Sequence, residues 1–84
     1  MPKVLYFASL RERMGRTEED LALPLGVSTV GTLVAYLKSR DAAGAAAFAE
    51  PTLIRAALNQ EFAGTSAPIR DGDEIAFFPP VTGG

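Results

Sequence analysis

"STVGTLVAYLKSRD", residues 28–41, is the stretch on which the fold turns. Val30, Leu33, Val34 and Leu37 stand at i, i+3, i+4 and i+7, so a helix through them carries all four on one face, and that face is core. Ser28 or Thr29 can cap its start. Lys38 and Arg40 near its end suit the negative pole of the helix dipole. A single amphipathic helix must lie on another apolar layer, and the flanking sequence supplies one in short pieces.

Before the helix, "KVLYFA" (3–8) is a run of branched and aromatic residues that reads as a strand buried on both faces. "SLRERMG" follows, with Ser9 as N-cap and Gly15 as stop for about two turns of helix. "EEDLAL" returns to extended chain, and "PLG" (24–26) ends it. After the main helix, "AAGAAAFAEP" is open between a short alanine helix and a loop ending before Pro51. "TLIRAAL" reads as a third strand, "NQ" as a tight turn and "EFAG" as a short returning strand. The turn at Asp71-Gly72 leads into a last strand, "EIAFF", which Pro79 and Pro80 terminate because neither donates to a ladder. That strand is apolar along its length, so it belongs inside the sheet. The expectation is an α+β roll, with a mixed sheet of four to five strands packed on one main helix.

With 84 residues the chain makes one domain, assigned to 1–80, with 81–84 as a flexible tail. It contains no Cys, His or Trp, which removes disulfides, thiol nucleophiles, imidazole bases and nearly every zinc site. Eight Lys and Arg against ten Asp and Glu, scattered along the chain, invite neither nucleic acid nor an anionic membrane. No metal site and no bound cofactor are expected, and the compartment is read as the cytoplasm. The carboxylates Glu18, Glu19 and Asp20 read as a solvated edge, and "DGDE" (71–74) as a turn lacking the spacing of a calcium loop. Arg11, Arg13 and Arg16 read as an exposed helical face.

What remains is the end, "FFPPVTGG", residues 77–84. The α-carboxylate of Gly84 ionises with a pKa of about 3.3 to 3.7. Two residues without Cβ can pass a narrow channel, and Val81 to Gly84 reach about 13 to 14 Å at full extension. Pro79 and Pro80 bias the root of that arm toward extended chain. The plain alternative is a frayed terminus.

These residues, with "VLYFASLRERMG", "TVGTLVAYL", "AALNQEF" and "DGDEIAFFPPVTGG", resemble the small subunits of molybdopterin synthase, among the ubiquitin-like β-grasp sulfur carriers. The resemblance implies a β-grasp fold and a non-catalytic subunit whose terminal glycine is adenylated by an ATP-using, ubiquitin-activating-type adenylyltransferase. The resemblance further implies that a persulfide donor converts the adenylate to a thiocarboxylate, which then gives its sulfur to cyclic pyranopterin monophosphate inside a large subunit. It also implies a heterotetramer of two small and two large subunits, with the catalytic residues on the large one. On this sequence Gly84 would bear the sulfur, beside Gly83, and Pro79, Pro80, Val81 and Thr82 would form the arm. Phe7, Phe62 and Phe78, large apolar residues near strand ends, are expected to dock on the partner. Two other outcomes of the same terminal chemistry stay open: a carrier for another acceptor, such as thiazole or a thionucleoside, and a ubiquitin-like modifier of protein lysines.

Overall fold

A computed structural model describes residues 1–79. Within them the chain runs β1 (Lys3–Tyr6), α1 (Ser9–Met14), β2 (Glu18–Asp20), α2 (Val30–Arg40), α3 (Ala42–Ala47), a 3₁₀ turn (Pro51–Leu53), β3 (Arg55–Leu58), β4 (Glu61–Ala63) and β5 (Glu74–Phe78). The strands form one sheet in the order β2-β1-β5-β3-β4. Only the central β1–β5 pair is parallel, and its register sets Tyr6 beside Phe77. The last strand is therefore the middle of a mixed, five-stranded β-grasp sheet, as its unbroken apolar run predicts.

Alternation along the strands sorts the two faces. Val4, Tyr6, Ala56, Ile75 and Phe77 are buried on the inner face. Over them lie Val30, Leu33 and Leu37 of α2, Leu10 and Met14 of α1, and Phe48 after α3. The ring of Phe48 is fully buried and meets Phe77 edge-on at 5.2 Å and Tyr6 at 6.5 Å, which makes it the aromatic hub of the core. The segment left open in the sequence thus supplies both a third helix and the central ring.

Caps explain where the helices start. The backbone N–H of Thr32 donates to Thr29 Oγ1 at 3.1 Å while the N–H of Thr29 donates to Thr32 Oγ1 at 2.9 Å, a reciprocal box that places the cap at Thr29. Asp41 closes α2 and opens α3, its Oδ1 accepting from the Gly44 N–H at 2.7 Å. Gly44 lies so close to the Leu37 carbonyl that no Cβ fits there.

Four expectations are corrected. Ser9 is the first helical residue rather than the cap; Ala8 holds that position with φ 53° and no side-chain cap. "TLIRAAL" does not form one strand, because Pro51 starts a 3₁₀ turn closed by the Ile54 N–H on the Pro51 carbonyl at 3.1 Å, and pairing begins only at Arg55. "EEDLAL" pairs over Glu18–Asp20 alone; the Leu21 N–H still donates to the Pro2 carbonyl, but Pro2 has no N–H to continue the ladder, and Leu21 turns into the core. Val34 is half-buried, at the margin of the core and not within it.

Candidate functional site

The parallel register of β1 and β5 brings the C-terminal ends of both strands to one edge. The N–H of Phe7 donates to the Phe77 carbonyl at 3.0 Å, so Phe7 follows the last pair directly, beside Phe78 and Pro79, where the described residues end. On β3, Arg55 faces Phe78 across the ladder and Ala57 faces Ala76; on β4, Phe62 faces Ala57. Because Phe77 and Ala56 point inward, Phe7, Phe78, Ala76, Ala57 and Phe62 belong to the outer face, which no helix among the described residues covers. Phe62 is 82% exposed and Phe7 47%, while Phe78 is half-buried. The small Ala57 leaves room for the Phe62 ring to lean across β3 toward Phe78, with centroids 5.7 Å apart at 60°.

The tight turn before Phe62 holds this arrangement. Asn59 and Gln60 have φ of 51° and 72°, the left-handed pair that a two-residue hairpin requires. Asn59 is tied beneath β5: its Oδ1 accepts from the Glu74 N–H at 3.0 Å and its Nδ2 donates to Asp73 Oδ1 at 3.0 Å. Hydrogen bonds from Asn59 and from the Arg70 backbone hold the Asp73 carboxyl below its ordinary pKa. "DGDE" is accordingly a turn, with Gly72 at φ 89°, and no cluster of metal-ligating side chains occurs among the described residues.

At the opposite edge the sheet face is charged. Lys3 pairs with Glu18 at 3.2 Å. Glu19, expected on a solvated edge with its neighbours, instead points inward. Its carboxylate accepts from both terminal guanidinium nitrogens of Arg40, at 2.8 and 2.9 Å, and from the Tyr6 hydroxyl at 2.7 Å. Arg40 holds the Glu19 carboxyl below its ordinary pKa, and burial pushes the Tyr6 phenol upward. Alternation alone puts residue 19 on the inner face once Val4 is its partner, which the isolated "EEDLAL" could not reveal. Arg11, Arg13 and Arg16 are exposed, as expected, and Arg16 reaches Glu19 at 3.1 Å.

Pro79, the last described residue, is half-buried and lines a small hollow with Ser9, Arg13 and Leu53. The remaining site residues, Pro80, Val81, Thr82, Gly83 and Gly84, lie outside the described residues, as does the assignment of 81–84 to a tail. No helix among the described residues is long and apolar enough to cross a membrane.

Comparisons with known proteins converge on this architecture. The ThiS family model matches residues 4–84. The molybdopterin synthase sulfur carrier subunit of Escherichia coli is 40% identical over 84 residues, covering all of both chains. Among solved structures, a putative molybdopterin converting factor subunit 1 from Pyrococcus furiosus is 30% identical with a TM-score of 0.76, covering 95% of this chain and 97% of that one. The small archaeal modifier protein 1 of Haloferax volcanii is 26% identical with a TM-score of 0.74, covering 95% and 97%. A family match across nearly the whole length, together with a relative 40% identical over all of both chains, shows that the chain belongs to the ThiS family.

Proposed function

We propose that this protein is the sulfur-carrying small subunit of a molybdopterin synthase and that its working group is the carboxylate of Gly84. The observation that carries this reading is the full-length alignment with a relative of that name, running through the terminal glycines. A carboxylate is a poor acyl donor because oxide is a poor leaving group. Attack of the Gly84 carboxylate on the α-phosphate of ATP, in an activating enzyme, would release pyrophosphate and make AMP the leaving group. The terminal sulfur of a persulfide then displaces AMP, and a thiol cleaves the acyl disulfide to leave a thiocarboxylate. In the large subunit that sulfur is transferred to cyclic pyranopterin monophosphate, water supplies the oxygen with which the carrier returns as carboxylate, and two loaded carriers are used per molybdopterin.

The described residues support a delivery role. Docking through Phe7, Phe62 and Phe78 would seat the sheet at the edge from which the arm departs, so partner recognition and presentation of the terminus share one geometry. The thiocarboxylate is anionic, so the groups that stabilise it, and the catalytic residues, are assigned to the large subunit, in an assembly of two small and two large chains. ATP is consumed by the activating partner, no cofactor is bound here, and the cycle runs in the cytoplasm.

A second reading, attachment to protein lysines, is favoured by the likeness to the small archaeal modifier protein 1. Intact-mass measurement after incubation with the activating enzyme, ATP and a persulfide donor separates the two. Exchange of one terminal oxygen for sulfur, followed by single-turnover formation of molybdopterin with the large subunit, supports the carrier. Isopeptide adducts without molybdopterin formation would replace it with the modifier.

A further inference from the structure

The outer face is not uniformly apolar. At the sheet end where β3 begins and β5 finishes, a cleft of about 790 Å³ opens around the rim between the two faces, bounded by the first turns of α2, the 3₁₀ turn and the ends of β3 and β4. Val30, Val34 and Phe77 line its inner side, Phe62 and Phe78 its outer side, and Arg55 is the one ionisable residue in its lining among the described residues. Lys3, the other cation on a strand, is matched by Glu18. Arg55 is exposed, faces Phe78 across the ladder, and has no carboxylate partner among the described residues.

A guanidinium ringed by apolar groups is tolerated while water reaches it. Once a partner covers the phenylalanines, the water is expelled and the unpaired charge becomes strongly unfavourable. A partner that docks here must therefore bring an anion to that position, and the fork of Arg suits a carboxylate held by two hydrogen bonds. We propose that Arg55 is the specificity element of the docking face, and that the partner seats an apolar segment bearing an Asp or Glu side chain in this cleft. This rests on the reading that the face docks the large subunit of the synthase. Arg55 would then discriminate among protein surfaces that could all accept the phenylalanines, because an apolar surface without the acid leaves the charge stranded.

The test measures binding of the full-length chain to the large subunit of the same organism by surface plasmon resonance, at low and high salt. The variants are Arg55→Glu, Arg55→Gln and Phe62→Ala. Arg55 is exposed and outside the core, so thermal melts should match the native protein. If the inference holds, Arg55→Glu weakens binding by about tenfold or more, and Arg55→Gln lowers affinity while flattening its salt dependence. Native affinity for Arg55→Glu beside a weakened Phe62→Ala would overturn the role of Arg55 and leave the docking reading standing. Native affinity for all three variants would overturn both. Loss of self-association of the free chain in Arg55→Glu would assign the cleft to a second copy. A drop in its melting temperature matched by removal of Gly83 and Gly84 would assign it to the chain's own terminus. Either result overturns the proposal.

Discussion

The hydroxyl of Tyr6 donates to the carboxylate of Glu19 at 2.7 Å, beneath the bidentate grip of Arg40, and this one contact places limits on stability at both ends of the pH scale. The Glu19 carboxyl lies below its ordinary pKa, so its contribution is complete above about 4.3 and is lost as pH falls through the depressed folded value. The Tyr6 phenol is raised, so its contribution is complete below about 10 and is lost as pH rises further. Urea titrations across pH should give a plateau between these limits. Tyr6→Phe should remove much of the alkaline fall, and Glu19→Gln should flatten the acid fall and cost about 1.5 to 3 kcal/mol at neutral pH. An unchanged acid limb in Glu19→Gln would move that limb to other carboxylates, such as Asp73.

Leu33 is fully buried in the helix face that rests on the sheet. Leu33→Ala should cost about 2 to 5 kcal/mol in a denaturant titration, much of the stability of a domain this size. Wild-type stability would remove α2 from its place.

Gly44 makes a sharper case, since a methyl group there would overlap the carbonyl oxygen of Leu37. Gly44→Ala should therefore destabilise by about 1 to 3 kcal/mol or more, although alanine is ordinarily the better helix former. A stabilised variant would mean that α3 stands farther from α2 than described.

Phe62→Ala removes a ring that is 82% exposed, so it should lower the melting temperature little while weakening association with the large subunit. A variant that binds normally and melts early would make the ring a packing element of the hairpin.

Appending one residue after Gly84, or Gly83→Val, alters the end without touching the core. Both should leave the melting curve unchanged and abolish thiocarboxylate formation or sulfur delivery in the intact-mass and single-turnover assays. Continued sulfur loading of the extended chain, with molybdopterin made, would show that a free Gly84 carboxylate is not the working group.

Much of this was legible because the strongest patterns were long ones. The helix face from Val30 to Leu37 and the apolar run Ile75–Phe78 each settle on one packing, and together they imply the roll. The Ala-rich segment did not declare itself, because alanine favours helix without naming a face. What fixes α3 is the Asp41 cap and the close approach of Gly44 to Leu37, both tertiary facts. Glu19 was misread for a related reason: its inward direction depends on pairing with Val4, a partner fifteen positions away. Phe7, Phe62 and Phe78 could be named from the sequence, but their sharing one face depends on the register of four strands. Arg55 was missed entirely, since an isolated arginine has no local signature.

The placement of β5 at the centre of the sheet also orders events during synthesis. The first strand has no partner on that side until residues 74–78 have emerged, so the core cannot close around Phe77 before then. A chain broken off anywhere before this strand lacks the middle of its sheet, and should be cleared as unfolded polypeptide rather than compete for a partner's surface. Completion of the fold thus waits on β5, the last of the five strands to be made.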